Sequence, residues 1–530
     1  MLRLSNLSLP PDYTEESLRA AVLKKCGLSP DQLLGVTLVR RSVDARDKSD
    51  VRFVLSVNIS VKNEQALLKK CRFLSPVPSV RPLSLPDARF RLPPLVVGAG
   101  PAGLFAALTL ARAGAAPVLV ERGRCVEERT GDVEKMSAEG LLNPESNVQF
   151  GEGGAGAFSD GKLTCGVKSP LLRPVLETFA AHGAPQEILT DAMPHIGTDR
   201  LRGVVASIRE EIRSLGGTVW FGTRLEELIL RGGHVAGALL SRDGEKTEFA
   251  TDTVLLCVGH SARDTVQSLF LQGIRMVPKP FAMGVRVEHP RVFIDRAQYG
   301  AFAGHPALGA SSYKLVCHTP DSRGVYTFCM CPGGVVIAAA SRPGGVVVNG
   351  MSFHVRDAEN SNSALLVGVR PDDFGDDHPL AGMVLQRQIE KAAFSAGGGG
   401  FRAPAQRVED FLQNRATKAF GEVVPSYRPG VAAADLRAVL PAFITEDLKK
   451  GLRAMNSQLA GFAMPDAVLT APETRSSSPV RILRSETGEA EGVSGLYPVG
   501  EGAGYAGGIV SAAIDGITAA RKAIEKSLLL

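Results

Sequence analysis

The chain has 530 residues, 44% hydrophobic and 22% charged, with a formal net charge of +5 at pH 7; at roughly 150 residues per domain this length points to about three structural units, and the balance excludes wholesale disorder, collagen and coiled coil. No run of about 18 apolar residues is present to span a bilayer, and Met1-Leu2-Arg3-Leu4-Ser5 turns polar before a signal-peptide core could form, so a cytoplasmic location is expected. The eight cysteines are scattered without a CxxC pair, which fits a reducing compartment better than a disulfide framework.

Charge is uneven along the chain. The first 91 residues hold 16 Lys and Arg against 9 Asp and Glu, a net of +7, a face that can attract phosphate, nucleic acid or an acidic domain, or simply be solvated surface. Leu2 to Leu9 alternates as a strand, and Thr14 is placed to cap a helix beginning at Glu15. Leu34 to Arg41 and Val51 to Val61 read as strands around a polar stretch, and Asn63 to Lys70 as a second helix. A small α+β domain of the ferredoxin-like kind is expected over residues 1–75. Pro76, Pro78, Pro82, Pro86, Pro93 and Pro94 then mark a stiff linker over 76–94.

From Leu95 the pattern becomes βαβ. Leu95-Val96-Val97 is a buried strand, Leu104 to Ala113 a helix and Pro117 to Val120 a second strand. Between them Gly98-Ala99-Gly100-Pro101-Ala102-Gly103 fits G-x-G-x-x-G, answered by Glu121, 18 residues beyond Gly103. Gly98 permits the tight turn, Gly100 lets a pyrophosphate approach, Gly103 lets helix and strand pack, and the helix start, where Pro101 sets the first turn and Ala102 follows, offers free N–H groups from Ala102 onward. Glu121 would accept from ribose hydroxyls. Farther on, Ser207 to Leu215 reads as a helix, Gly217 to Leu240 as a β-meander and Thr253 to Val258 as a buried strand. The next 220 or so residues read as mixed strands and loops, and Ile509 to Leu528 as a closing helix. Gly156 to Lys162 matches GxxxxGK, but Leu163 stands where a magnesium-binding hydroxyl is needed and no apolar strand precedes it, so an ATPase is rejected.

The far end decides between dinucleotides. Gly495-Leu496-Tyr497-Pro498-Val499-Gly500-Glu501-Gly502-Ala503-Gly504 resembles the second FAD-binding segment of flavoproteins with the glutathione-reductase type of FAD domain. The resemblance implies that Gly500 and Glu501 hold the ribityl chain and that Gly508 and Ile509, at the helix start, face the pyrimidine end of the flavin; Glu501 stands where that family usually has Asp. Thr253 to His260 is similar to its strand-plus-glycine element, with Gly259 beneath the flavin, and Phe221 to Leu225 to the strand covering the adenine. Gln149 to Gly156 reads as a glycine loop whose backbone, at Gly153, Gly154, Ala155 and Gly156, lies along the cofactor. Arg122 and Arg129 follow Glu121; Arg129 is either a contact to the cofactor's phosphates or ribose, or a surface cation. Together with Ser42 to Arg46, Asn143 to Phe150, Cys329 to Gly334, Asn349 to Ser352 and Gly502 to Gly508, these segments resemble, over nearly the whole chain, a bacterial family of uncharacterised FAD-dependent dehydrogenases. The fold class implied is α/β: a Rossmann-like FAD domain over 95–261 and 486–530, an inserted mixed α+β substrate domain over 262–485, and the small N-terminal domain.

For chemistry, Cys329 and Cys331 should share one face of a strand. Cys331, followed by Pro332-Gly333-Gly334, is the candidate catalytic thiol at the flavin's reactive face, against the plain alternative of two core thiols. A zinc site at Cys317 and His318 is disfavoured because strand neighbours point apart. Arg286, His289, His354 and Arg356 could bind a carboxylate or move protons, or be structural hydrogen-bonders; Gly397 to Gly400 is a mobile loop or a lid. The expected function is an FAD-dependent oxidoreductase acting on a small-molecule substrate. With no second GxGxxG unit, NAD(P)H or a protein electron donor would bind transiently. The alternatives are an FAD-dependent RNA-modifying enzyme, disfavoured because the basic N-terminal domain lacks a stacking platform, and a flavin-bound regulatory protein without turnover. No membrane partner is expected.

Overall fold

The computed structural model describes residues 1–78, 85–319 and 323–529, so part of the expected linker, residues 79–84 with Pro82, lies outside the described residues. Strands Leu2–Leu9, Leu33–Asp44, Arg52–Val61 and Leu74–Pro76 alternate with helices Glu15–Cys26 and Glu64–Lys70 in βαββαβ order. Leu2–Leu9 and Arg52–Val61 lie at the centre of the antiparallel sheet, and Leu33–Asp44 and Leu74–Pro76 at its edges. Thr14 and Ser17 form a capping box, and Gly27 ends the first helix at φ 62°, a conformation that a Cβ would penalise. Period-two alternation buries Phe53, Leu55, Val57, Ile59 and Val61 on one face. This unit sits on the rest of the chain. The Arg41 guanidinium pairs with Asp191 at 2.9 Å, Arg41 N–H donates to Thr190 O at 2.8 Å, Lys48 Nζ donates to Ala297 O at 2.5 Å, and Leu308 packs against the unit's core.

A five-stranded parallel sheet follows, in the order Leu496–Pro498, Val254–Leu256, Leu95–Val97, Val118–Val120, Thr218–Trp220. Four of its five strands, all but Thr218–Trp220, are three-residue runs with every residue buried, as a sheet covered on both faces requires. Helices Pro101–Arg112, Leu172–Ala181, Thr198–Ser214 and Ile509–Ser527 build the core on one face. The meander Thr223–Arg231, His234–Arg242 and Glu245–Phe249 contributes to the core on the other.

Between Val254–Leu256 and Leu496–Pro498 the chain forms a cap. Its seven-stranded sheet runs Val316–His318, Gly324–Cys331, Asn360–Val369, Phe281–Pro290, Val468–Glu473, Ala403–Arg407, Val431–Ala433. The expected mixture of strands and loops is here corrected by four helices of nine residues or more: Arg263–Leu271, Arg291–Tyr299, Ala381–Ala396 and Ala442–Gln458. Their inward faces carry polar residues, with Gln386 and Glu390 buried beside Met383 and Ile389, and Asp447 and Lys449 beside Leu448 and Leu452. Buried polar groups blur the apolar stripe from which a helix is read. The helix expected from Ser207 begins earlier, at Thr198, and Tyr326 to Ala340 divides into two strands at Pro332-Gly333-Gly334, the second pairing separately with Val348–Met351. Gly397 to Gly400 is the tight turn closing helix Ala381–Ala396, where Gly399 N–H donates to Phe394 O at 3.1 Å. All eight cysteines are free. Among the described residues no helix is long and apolar enough to cross a membrane, and no group of three or more His, Cys, Asp or Glu is placed to hold a metal ion.

Candidate flavin site and the cap cluster

Strand register brings the dinucleotide segments together. Val97, Val120, Leu256 and Pro498 lie in one row, so Gly98, Glu121, Cys257 and Val499 leave the sheet along a single carboxyl edge, where open α/β sheets bind ligands. A Cβ at Gly98 would sit 2.5 Å from Cys257 O, and one at Gly103 only 1.8 Å from Gly98 O, whereas at Gly100 nothing comes closer than 3.8 Å. Packing fills the first and third glycines and leaves the second open. Helix Pro101–Arg112 is capped by Gly100 and helix Ile509–Ser527 by Gly508, neither with a side-chain cap; the first N–H groups of both remain available to an anion. These helix starts are neighbours, since a Cβ at Gly156 would touch Ile509 at 3.1 Å and Pro101 at 3.8 Å, and one at Gly500 would touch Ala102 at 3.0 Å.

Glu121 is buried and accepts three backbone N–H groups, from Ala99 at 2.8 Å and from Gly123 and Gly151 at 2.9 Å each. The loop it holds is fixed a second time from below. Arg129, fully buried, donates to Asn147 O, Val148 O, Gly151 O and Glu152 O at 2.5 to 3.1 Å, and burial pushes its guanidinium down to about 10. The loop crosses the fingerprint directly: Gly153 N–H donates to Ala99 O at 2.8 Å, and a Cβ at Gly154 would lie 3.0 Å from Gly100 Cα. Arg122 is ion-paired with Glu145 and Asp264 at 2.8 and 2.9 Å over the Phe150 ring. Leu225 is buried; Gly259, at φ 70°, lies against Gly502. Glu501 is partly exposed, its Oε2 3.7 Å from His260 Nδ1. The open face at Gly100, the two uncapped helix starts and the acid at each end fit a dinucleotide cofactor.

Past the glycine loop the chain enters the cap. Asp160, fully buried, takes Lys162 at 3.0 Å and Arg356 at 2.6 Å; burial opposes the charge, yet the two cations hold the carboxyl down to about 2. His354 stacks on His195 with ring centroids 5.1 Å apart, and His354 N–H donates to Asp199 at 2.8 Å. Burial pushes His195 down to about 4, so it is a neutral imidazole at pH 7. Against this cluster lies the end of strand Gly324–Cys331. A bulge between Phe328 and Cys331 breaks its pairing with Asn360–Val369, and Cys329 stands at φ 42°, so the regular alternation expected for the two thiols does not hold. Cys331 is fully buried, opposite Asn362, while Cys329 is partly exposed. Cys331 Sγ donates to Cys329 O at 3.3 Å; the pairing with Cys331, helped by Lys162 and Arg286, lowers the Cys329 thiol, whereas the same pairing and burial raise that of Cys331 against the pull of the two cations. Arg286 is fully buried, donates to Cys329 O at 2.8 Å and pairs with Glu473 at 2.6 Å. Burial pushes Glu473 up to about 7 against the pull of that arginine. Both amide atoms of the fully buried Asn362 lack a hydrogen-bond partner among the described residues.

A second buried network fastens the cap just past Gly259. Glu390 receives Arg263 at 2.8 Å and Arg475 at 3.0 Å, and Arg475 also donates to Ser261 and Ser341.

Comparison with known proteins places this architecture. The family described as FAD-dependent protein, C-terminal domain-like, matches residues 280–476; an FAD binding domain matches 91–135, and a domain of unknown function matches 1–60. An uncharacterised protein of Clostridium beijerinckii is 45% identical over 530 residues, 99% of each chain. The chain belongs to this uncharacterised family of FAD-dependent proteins. Its cofactor is FAD, and it is a flavoprotein of the oxidoreductase kind. Among solved structures it is similar to a triple mutant of a flavin-dependent brominase (12% identity, 83% of this chain and 81% of the other, TM-score 0.38). It is also similar to a geranylgeranyl bacteriochlorophyll reductase-like protein of Thermoplasma acidophilum (13%, 82% and 78%, TM-score 0.34).

In this flavoprotein the structure gathers Gly98 to Gly103, Glu121, Gly153 to Gly156, Gly259, Gly500, Glu501, Gly508 and Ile509 around one sheet edge. Arg129, read as a cofactor contact or a surface cation, is instead committed to holding the loop. His289 is fully buried, with Nε2 2.7 Å from Phe462 O, away from solvent. Sequence reasoning missed Asp160, Lys162, Asn362 and Glu473. Lys162 carried a signal, the rejected GxxxxGK match; Asp160 and Glu473 meet Arg356 and Arg286 more than 100 residues away, Asn362 meets Cys331 only through strand pairing, and no spacing marks any of the three.

Proposed function

We propose that this flavoprotein exchanges a hydride or electrons between FAD and a small molecule held between the flavin domain and the cap. The observation carrying this is the continuity of the glycine loop, Gly151 to Gly156, with Asp160 and Lys162, whose charges meet the cap strand bearing Cys329 and Cys331. In this reading the FAD domain is of the glutathione-reductase type. Gly100 and the N–H groups of the Pro101 helix receive the pyrophosphate, Glu121 the ribose, Glu501 the ribityl chain, and Gly508 and Ile509 the pyrimidine end of the flavin; Arg122, Gly153 to Gly156, Leu225 and Gly259 complete the cradle. FAD, when bound, supplies two-electron or one-electron transfer. The chain's own groups exclude water by burial, keep a proton on Cys331 Sγ and present Lys162 Nζ as a cation to the reacting molecule. NAD(P)H or a protein donor would reach the flavin transiently. Anaerobic stopped-flow of the yellow protein against NADH, NADPH and reduced ferredoxin tests the reading. One of them is expected to bleach the flavin on the turnover timescale; indifference to all three favours a flavin-bound protein without turnover.

A further inference from the structure

We propose that Cys329 and Cys331 are a reactive dithiol that exchanges with a small-molecule disulfide, Cys329 attacking and Cys331 resolving. The inference rests on reading the cap cluster as the substrate site. Four observations meet there. First, the partly exposed residue of the two, Cys329, is the one at the bulge, where φ 42° puts a non-glycine residue in the left-handed region; such backbone persists only where its surroundings over-determine it, and it gathers at functional sites. Here the surroundings are explicit, since Arg286 holds the Cys329 carbonyl at 2.8 Å. Second, the two cysteines are adjacent at the bulge: Cys331 Sγ donates to Cys329 O at 3.3 Å, so a mixed disulfide on the first residue would stand beside the second.

Third, the charged groups around Cys329 are cations in balance with buried acids. Lys162 and Arg286 favour its thiolate and Asp160 opposes it, while Glu473, which also feels Cys329, is engaged by Arg286. Lowered thiols beside Lys or Arg are the nucleophilic ones. Fourth, Asn362, paired across the sheet with Cys331, keeps both amide atoms without a hydrogen-bond partner among the described residues although fully buried. Groups of that kind are rare unless a ligand or water completes them.

The exchange balances without another reagent. The Cys329 thiolate attacks one sulfur of the disulfide, forming a protein mixed disulfide and expelling one thiolate. Cys331 then attacks the Cys329 sulfur, its proton passing to the second departing thiolate. Two protein thiols are oxidised to one disulfide, and the small disulfide is reduced to two thiols.

The test uses the full-length protein with its FAD and no electron donor, so it does not depend on flavin turnover; bleaching by a donor is scored separately. Wild type is treated with 2-hydroxyethyl disulfide at pH 6 and at pH 8 and quenched with acid, and the peptide carrying both cysteines is weighed. It is expected to lose two hydrogens. Between pH 8 and pH 6 the rate should fall less than about threefold, whereas an ordinary thiol of pKa about 8.5 would slow by roughly 75-fold over that interval. Cys331→Ser should retain the hydroxyethyl adduct on Cys329, and its bound FAD reports that it is folded. The proposal is overturned if the wild-type peptide is unmodified, if the adduct persists in wild type without resolution, or if the rate follows ordinary thiol ionisation. Each of these is read on the wild type and survives a misfolded variant.

Discussion

Glu121 reaches Gly151 across 30 residues: its Oε1 accepts the Gly151 N–H at 2.9 Å while its Oε2 accepts that of Ala99 at 2.8 Å. One carboxylate therefore holds both glycine turns of the flavin site, and its charge acts before any ribose arrives. Glu121→Gln keeps the shape but turns an NH₂ toward at least one of these donors. A buried N–H left without an acceptor costs about 1–3 kcal/mol. The variant is expected to melt earlier and to bind FAD at least about tenfold more weakly, which corresponds to about 1.4 kcal/mol. Fluorescence titration of the apoprotein measures it, and an unchanged dissociation constant would contradict this role for the acid.

Gly100 and Gly103 should respond oppositely to enlargement. At Gly100 the nearest atom to a new Cβ is 3.8 Å away, so Gly100→Val is expected to fold, with a melting temperature close to wild type, and to purify without flavin because its branches fill the space kept for the pyrophosphate. At Gly103 a Cβ would collide with Gly98 O at 1.8 Å, so Gly103→Ala is expected to lose soluble protein altogether. Gel filtration with the ratio of flavin to protein absorbance separates the two outcomes. A yellow Gly100→Val protein would remove that glycine from the cofactor path.

The segments on the sheet edge were legible in the sequence because each glycine has a local reason. A short apolar strand, a turn and a helix start are contiguous, and 3.6-residue and two-residue periods change there. The cap cluster was not legible for the converse reason. Asp160 meets Arg356 only after 196 residues, Arg286 meets Glu473 across the sheet, and no periodicity links them. The cysteine strand was legible as a strand, but one extra residue at the bulge changed which thiol is covered, and a bulge after Phe328 has no glycine or proline to announce it. Likewise Gln386 and Glu390 hid a 16-residue helix because the arginines that satisfy Glu390 come from Arg263 and Arg475.

The basic N-terminal unit spends part of its charge inward. Arg41 and Lys48 are used against Asp191 and the Ala297 carbonyl, and Arg41 also lies over Phe53, 5.3 Å from its ring centroid. Gel shift with bulk transfer RNA at physiological salt is expected to show nothing tighter than nonspecific binding, about 10⁻⁴ to 10⁻⁶ M. A salt-resistant nanomolar complex would restore the RNA-modifying reading. Arg41→Ala should cost about 1 kcal/mol, since a pair whose side chains keep about a third of their surface in water contributes little.

His289 gives the molecule a built-in acid sensitivity. It is fully buried, Nε2 donates to Phe462 O at 2.7 Å, and Nδ1 has no hydrogen-bond partner among the described residues. Burial therefore pushes the imidazole from 6.5 to about 4. The unfolded chain takes up a proton below pH 6.5 that the folded chain refuses, so stability is full above pH 6.5 and falls as pH drops toward 4. A depression of this size is worth about 3 kcal/mol at pH 4. Glu473, raised to about 7, works in the other direction, gaining stability as pH falls from 7 toward 4.5, but it is common to wild type and variant and cancels in their difference. His289→Gln retains an N–H for the Phe462 carbonyl and has nothing to titrate. It is expected to start less stable than wild type at pH 7.5 and to close the gap by about 3 kcal/mol at pH 4. Urea midpoints for both proteins at half-unit pH steps measure this, and a constant gap would mean that the buried imidazole accepts its proton in the fold.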